Sequence, residues 1–128
     1  MTIKEVSKNT GLTADTLRYY EKIGMIPIIR RDENGIRSYN DSDIRLINFV
    51  LRLKRAGMTL EKIIEYVELA KEGDSTAEAR KKLLEEQREN IIFRISELKE
   101  SLDLIDYKIE HYFSCVISDT KEAVENLK

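Results

Sequence analysis

Hydrophobic positions in the first 73 residues recur at helical spacing in four short segments. A residue whose side-chain oxygen can cap a helix precedes each segment, and a glycine that can end a helix follows it. The caps are Thr2, Thr13, Asn40 and Thr59, and the closing glycines are Gly11, Gly24, Gly57 and Gly73. The pattern therefore predicts four helices within residues 1–73, enough for one small core.

Residues 28–39 interrupt the helical spacing. Ile28–Arg31 and Ile36–Tyr39 flank a loop that contains Asn34-Gly35, a pair that supplies the positive φ angles of a tight hairpin turn. We therefore predict a two-stranded hairpin, which we call the wing. Because an isolated hairpin is not stable in water, the wing should pack against the neighbouring helices.

The longest predicted element runs from Thr76 to about Tyr112, a stretch without Gly or Pro. At a rise of 1.5 Å per residue, such a helix is roughly 55 Å long. From Ile91 onward its apolar residues are separated alternately by four and three positions, which is typical of a coiled coil. Its predicted apolar stripe consists of Leu84, Ile91, Ile95, Leu98, Leu102, Ile105, Ile109 and Tyr112.

The apolar stripe of this helix must be buried against another surface to be stable in water. A helix without a turn cannot fold back on itself, and the rest of the chain is too small to cover the whole stripe. Each buried Leu or Ile stabilises by roughly 1.5–3 kcal/mol, so the stripe predicts a strong homodimer seam. Packing of the stripe along the head of the same chain is the alternative.

The predicted fold is mainly α: a winged helix-turn-helix head, with four helices and a two-stranded wing, followed by a long coiled-coil dimerisation helix. We divide the chain into a head at 1–73, a coiled coil at 74–112 and a short tail at 113–128. The tail is mostly polar after residue 117, and we expect it to be loosely ordered or to form a small lid.

Charge is distributed unevenly along the 128 residues. Residues 1–57 hold 11 Lys and Arg against 7 Asp and Glu, a net +4, whereas residues 58–128 hold 11 against 17, a net −6. A basic head favours a polyanionic partner. The sequence shows neither an apolar run long enough to span a membrane nor a signal peptide, so we expect a cytoplasmic protein without membrane contact.

The segment from Gly11 to Glu21 contains Arg18-Tyr19-Tyr20. Neighbouring helix positions lie about 100° apart, so these three side chains cannot all be buried, and the arginine and at least one tyrosine should face outward. Arginine can donate to a phosphate or a guanine edge, and a tyrosine hydroxyl can donate to phosphate. The alternative is a pair of half-buried tyrosines beside a solvated arginine.

Further cations flank this segment: Arg30, Arg31 and Arg37 in the wing, and Arg52, Lys54 and Arg55 at the end of the third helix. Together they predict a surface that follows a phosphate backbone, and an ordinary solvated charge is the alternative for each one alone. The sequence has no Gly-rich phosphate loop, catalytic triad or metal-ligand set, so we expect neither an enzyme nor a cofactor.

Residues 1–57 resemble the head of the MerR family of transcriptional regulators. The long helix extends the resemblance to about residue 112. The motifs that carry it are Ile3-Lys4-Glu5-Val6, Gly11-Leu12-Thr13, Leu17-Arg18-Tyr19-Tyr20-Glu21, Gly24-Met25-Ile26-Pro27, Asn34-Gly35-Ile36-Arg37-Ser38-Tyr39 and Ala56-Gly57.

The resemblance implies that the helix after Thr13 enters the major groove of double-stranded promoter DNA, with Thr16 and Arg18 facing bases or phosphates. Tyr19, Tyr20, Arg37 and Tyr39 would contact the DNA backbone. The full set of expected DNA-binding residues is Thr13, Thr16, Arg18, Tyr19, Tyr20, Arg31, Arg37, Tyr39 and Lys54. Asp15 departs from the neutral or basic residue that related heads often carry, so the base preference should differ.

The resemblance also implies a mechanism. The long helices would pair antiparallel in a homodimer, which would bind a near-palindromic promoter site and distort it for RNA polymerase in response to an effector. The rival hypothesis is a coiled-coil adaptor whose head binds a protein partner, and the arginine-bearing wing favours DNA over it.

The effector is not evident from the sequence. Metal-sensing members use paired cysteines after the dimerisation helix, whereas Cys115 and His111 stand alone here, so we expect no metal site. Residues 72–80 resemble the short aldehyde- and thiol-stress branch, but Arg52 occupies the position of its reactive cysteine on the third helix. Burial of Cys115 is the expected alternative to redox chemistry at that residue.

Overall fold

The structure is a computed structural model that describes residues 1–127, apart from the side chains of Cys115, Val116 and Ser118. Its helices are α1 (Ile3–Thr10), α2 (Ala14–Ile23), α3 (Asp41–Arg55), α4 (Leu60–Glu72), α5 (Ala77–Glu110) and α6 (Ile117–Asn126). A 3-10 turn at Asp74–Thr76 precedes α5, and a π-helical turn at Tyr112–Val116 precedes α6. The contacts divide the chain into an N-terminal unit, Met1–Arg88, and a C-terminal unit, Glu89–Lys128.

Side-chain caps begin each of the first four helices, as the sequence predicted. The Thr13 hydroxyl accepts from the backbone N–H of Thr16, and Asn40 forms a reciprocal capping box with Asp43. Thr2 and Thr59 accept from the third backbone N–H beyond them in the same way. These contacts satisfy backbone donors that the first turn of a helix leaves unpaired, so the caps decide where each helix begins.

Two buried clusters form the core of the N-terminal unit. The first is built on α1, α2, the wing and α3, and contains Val6, Leu17, Ile26, Ile29, Tyr39 and Ile47. The second contains Met25, Val50, Leu53, Met58, Ile63, Val67 and Leu83. The Tyr20 side chain packs against both clusters, so α2 is held by the core along one face while its other face stays exposed.

The first turns of α5 belong to this core. Leu83 and Gln87 are buried, and the Gln87 side-chain amide donates to the Ala56 carbonyl at 3.1 Å. Leu84 also packs against the second cluster. The core of the N-terminal unit thus covers the Leu84 side chain in part, and its place on the dimer stripe stays a prediction.

The wing is simpler than the predicted pair of strands. Within the described residues it carries one antiparallel bridge, between Arg31 and Arg37. The Asp32 carboxylate accepts from the backbone N–H groups of Asn34 and Ile36, which in a longer hairpin would be available to a strand ladder. Gly35 alone supplies a positive φ here, at 78°. The backbone N–H groups of Asp32 and Ser38 donate to the Ile36 and Arg30 carbonyls, both at 2.8 Å, so a short pairing beside a side-chain-stabilised loop takes the place of the predicted strands.

In the C-terminal unit, α5 continues to Glu110, close to the predicted end near Tyr112. Helix α6 corrects the expectation of a loosely ordered tail, and Lys108 lies 3.9 Å from Asp119 of that helix. The expectation of a small lid stays a prediction. The predictions for the Cys115 side chain fall outside the described residues. In the described part of the chain, we find no helix that has the length and hydropathy to cross a membrane.

Candidate nucleic-acid interface

The N-terminus of α2 presents two hydroxyl groups. Thr13 is exposed, and its Oγ1 accepts from the Thr16 backbone N–H at 3.1 Å and donates to Thr16 Oγ1 at 2.8 Å. A helix N-terminus attracts anions, since its first N–H groups and its dipole both favour negative charge. The two threonines therefore stand where a phosphate or an electron-rich base edge can be bound.

Arg18 and Tyr19 are exposed on α2, in agreement with the prediction that the arginine and at least one tyrosine face outward. The Arg18 guanidinium lies 2.9 Å from the Asp15 carboxylate, and the two side chains are 48% and 96% exposed. An ion pair this exposed is held only weakly, so a DNA phosphate or guanine can replace Asp15 at little cost. Tyr19 is 55% exposed.

Tyr20 and Lys54 meet across α2 and α3. Lys54 Nζ donates to the Tyr20 hydroxyl at 2.7 Å and lies 5.0 Å from the centre of its ring. Because the half-buried Tyr20 ring packs against both core clusters, it fixes the position of the lysine ammonium beside α2. The two residues are 34 positions apart in the sequence, and together they place one ammonium group where it can bind a phosphate.

The two wing arginines of the predicted set differ in environment. Arg31 is exposed, and its guanidinium donates to the Gly35 carbonyl at 2.8 Å. Arg37 Nε lies 3.0 Å from Glu21 Oε1, with the side chains only 19% and 13% exposed. Arg37 thus ties the wing to α2, and it presents little surface to a ligand.

Tyr39 lies in the core rather than on the surface. Its side chain is 2% exposed, and no described residue forms a hydrogen bond with its buried hydroxyl. Burial raises the pKa of this phenol above its ordinary value, and the nearby negative charge of Glu21 adds to the increase. The backbone of Tyr39 pairs with Met1 on both sides: the Met1 amino group donates to its carbonyl at 2.7 Å, and its N–H donates to the Met1 carbonyl at 2.8 Å.

We use the term α2 face for the group formed by the exposed residues Thr13, Arg18, Tyr19 and Lys54 and the half-buried residues Thr16 and Tyr20. Arg31 projects from the wing, while Arg37 and Tyr39 support the structure from within. Sequence reasoning missed Glu21, because its partner Arg37 becomes a neighbour only when the wing folds back onto α2. Across residues with described side chains, no three or more His, Cys, Asp or Glu groups lie close enough to hold a metal ion.

Family models match most of the chain. The model described as MerR HTH family regulatory protein matches residues 1–70, and the model described as MerR, DNA binding matches residues 44–106. The transcriptional regulator AdhR of Bacillus subtilis is 48% identical over 92 residues, which cover 72% of this chain and 66% of AdhR. The chain thus spans about two thirds of the length of this relative.

Solved structures agree with these matches. A crystal structure from Listeria monocytogenes, assigned to the MerR family of transcriptional regulators, superposes with a TM-score of 0.83 at 42% identity and covers 98% of this chain and 95% of the other. HiNmlR, described as a MerR family regulator lacking the sensor domain and bound to promoter DNA, superposes with a TM-score of 0.77 at 39% identity, covering 87% and 88%. The chain therefore belongs to the MerR family of helix-turn-helix transcriptional regulators.

Proposed function

We propose that this regulator binds a near-palindromic promoter site as a homodimer and distorts it for RNA polymerase. The observation that carries the proposal is helix α2, which leaves Arg18 and Tyr19 exposed, bears the Thr13 and Thr16 hydroxyls at its N-terminus and holds Lys54 through Tyr20. Helix-turn-helix proteins place such a helix in the major groove, and their flanking cations and hydroxyls bind the phosphate backbone of the DNA.

Within this proposal the residues have distinct roles. Thr16 and Arg18 face the base edges or the nearest phosphates, and Arg18 leaves Asp15 to do so. Thr13, Tyr19, Lys54 and Arg31 contact the backbone, with the Tyr20 ring holding Lys54 in place. Arg37 and Tyr39, which are largely covered, orient the wing and do not contact DNA directly.

The homodimer is supported by the exposure of the predicted stripe. In the C-terminal unit the side chains of Ile95, Leu98, Leu102, Ile105, Ile109 and Tyr112 are all exposed. Apolar residues at coiled-coil spacing are stable in water only when a partner helix covers them. We propose that residues 74–112 pair antiparallel with a second copy, that residues 1–73 bind DNA, and that residues 113–128 follow as a short tail.

An effector would act by changing how the dimer distorts the promoter. The likeness to HiNmlR, whose description combines promoter DNA with the lack of a sensor domain, supports promoter DNA as the ligand. The likeness to AdhR supports transcriptional regulation as the outcome. Arg52 stands on α3 where the stress-responding branch places a cysteine, so thiol chemistry at that position has no counterpart in this chain.

The proposal is tested by titrating the purified protein against promoter fragments from its own genome at low and high salt. Arg18→Ala should weaken binding to a selected fragment by about 1–3 kcal/mol, because a guanidinium contact is lost. Lys71→Ala, which removes an exposed charge at the end of α4, is the matched control and should bind like the wild type.

Salt provides the second readout. The logarithm of the affinity should fall linearly with the logarithm of the salt concentration, because phosphate contacts release counterions. If the purified dimer binds no fragment even at low salt, DNA binding is contradicted, and the adaptor hypothesis, with a protein partner for the head, replaces it.

A further inference from the structure

A polar cavity of about 290 Å³ lies between the end of α1 and the second half of α3. It is lined by Asn9, Thr10, Asn48, Leu51, Arg52 and Arg55. We propose that this cavity binds a small free anion that carries a carboxylate or phosphate group. Two guanidinium groups and two side-chain amides line it, and none of its lining residues is acidic, so its donors have the composition of an anion site.

Helix geometry brings these donors to one place. Asn48, Arg52 and Arg55 are separated by four and three positions on α3, which puts them on the same side of that helix. Asn9 faces them from the end of α1. Its amide donates to the Met1 sulfur at 3.8 Å, a weak acceptor that an anionic oxygen would readily replace.

Charge supports the same conclusion. Two neighbouring guanidinium groups repel each other, and an anion between them relieves that repulsion while accepting paired hydrogen bonds. Basic residues in the last turn of a helix also stabilise its negative end, which accounts for Arg55. That effect does not account for the two amides that complete the cavity.

The cavity is separate from the α2 face. Arg52 and Lys54 are two positions apart on α3, so their side chains leave the helix about 200° apart. Lys54 is engaged with Tyr20 on the side of α2. We therefore assign the cavity to a free anion, and a DNA titration of the Arg52→Gln/Arg55→Gln variant tests whether a DNA backbone also reaches it.

Calorimetric titration of the full chain with inorganic phosphate and, separately, with acetate tests this proposal, with chloride used to hold the ionic strength constant. The wild type should show saturable binding of at least one of the two anions. The double variant Arg52→Gln/Arg55→Gln should bind that anion about tenfold more weakly or not at all. Arg45→Gln, which removes an exposed charge elsewhere on α3, is the control and should leave the affinity unchanged.

Asn48→Ala separates a built site from a general charge effect, because it keeps both arginines. It should also weaken anion binding, whereas equal weakening by Arg45→Gln, or a response that never saturates with either anion in the wild type, would overturn the proposal. The titration contains no DNA, so it fails or succeeds independently of the proposed function.

A parallel DNA titration identifies the source of the anion. The promoter affinity of Arg52→Gln/Arg55→Gln should stay within about twofold of the wild type. If anion binding and promoter affinity both fall about tenfold, the cavity is a contact for the DNA backbone, and the assignment to a free anion is wrong.

Discussion

Three tyrosines of the N-terminal unit show how strongly environment decides the role of one residue type. Tyr19 is exposed, Tyr20 lies between the core and Lys54, and Tyr39 is buried with its hydroxyl unpaired. A buried hydroxyl without a partner costs free energy, because it has lost its hydrogen bonds to water. Tyr39 should therefore contribute to stability through its ring and oppose stability through its oxygen.

Replacing Tyr39 with Phe should raise the free energy of unfolding by about 1 kcal/mol at neutral pH, because the ring stays and the unsatisfied oxygen is removed. Urea unfolding followed by circular dichroism measures this change. Tyr19→Phe, made at an exposed ring, is the control and should change stability by less than about 0.5 kcal/mol. A loss of stability in Tyr39→Phe would show that the hydroxyl has a partner in solution.

The same substitution should change the alkaline limit of stability. The pKa of Tyr39 is raised above 10.0 in the folded state, mainly by burial, so the folded protein holds this proton more tightly than the unfolded chain does. Its contribution is complete below about pH 10 and is lost as the pH rises through the folded pKa. Unfolding measured between about pH 9 and pH 11 should show a shallower loss for Tyr39→Phe than for the wild type.

Among the elements, α5 is joined to the rest of the N-terminal unit by a buried polar contact as well as by apolar packing. Gln87 donates to the carbonyl of Ala56, the residue that follows α3. A buried carbonyl that loses its donor destabilises the folded state, because it has given up its hydrogen bonds to water and gained none in the protein. This contact fixes the first turns of α5 against the end of α3, 31 residues earlier in the chain.

Gln87→Ala should lower the free energy of unfolding by about 1–3 kcal/mol, since it leaves the Ala56 carbonyl unpaired and opens a small gap. Gln87→Glu should cost at least as much at neutral pH, because a carboxylate cannot donate. Denaturant unfolding provides both values, with the exposed Glu86→Gln as control. If Gln87→Ala unfolds like this control, the contact does not stabilise α5.

At the scale of the whole molecule, the exposed stripe of α5 requires a partner. Leu98 is 63% exposed in the single chain, so replacing it should not disturb the fold of one protomer. In a paired coiled coil the same position is buried, and a charge there is strongly unfavourable. Folding and association can therefore be separated by one substitution.

Leu98→Asp should convert the protein from dimer to monomer at micromolar concentration while the helical content stays close to that of the wild type. Sedimentation velocity measures the change in mass, and Glu97→Gln, next to Leu98 and also exposed, is the control and should remain dimeric. Affinity for a two-half-site promoter should fall together with the dimer. A variant that keeps the wild-type mass would contradict the proposed seam.

The sequence by itself determined the local elements of this protein. Capping residues and glycines act within one helical turn, so Thr13 and Gly24 mark the ends of α2 with no help from distant residues. The absence of Gly and Pro from residue 76 to 112 likewise predicted α5 to within about two residues at its C-terminal end. Helical periodicity predicted that Arg18 and at least one of the neighbouring tyrosines face outward, whereas the family came from the resemblance of several motifs.

Only the tertiary structure decided which polar residues are exposed and which are engaged. Arg37 and Tyr39 belong to the family-like motifs just as Arg18 does. The folding of the wing onto α2 covers both, because Arg37 pairs with Glu21 and Tyr39 packs in the core. The Tyr20–Lys54 pair, the Gln87–Ala56 bond and the cavity beside Arg52 join residues that are far apart in the sequence. Periodicity describes one element at a time, whereas these contacts depend on how elements pack, and packing is a property of the whole fold.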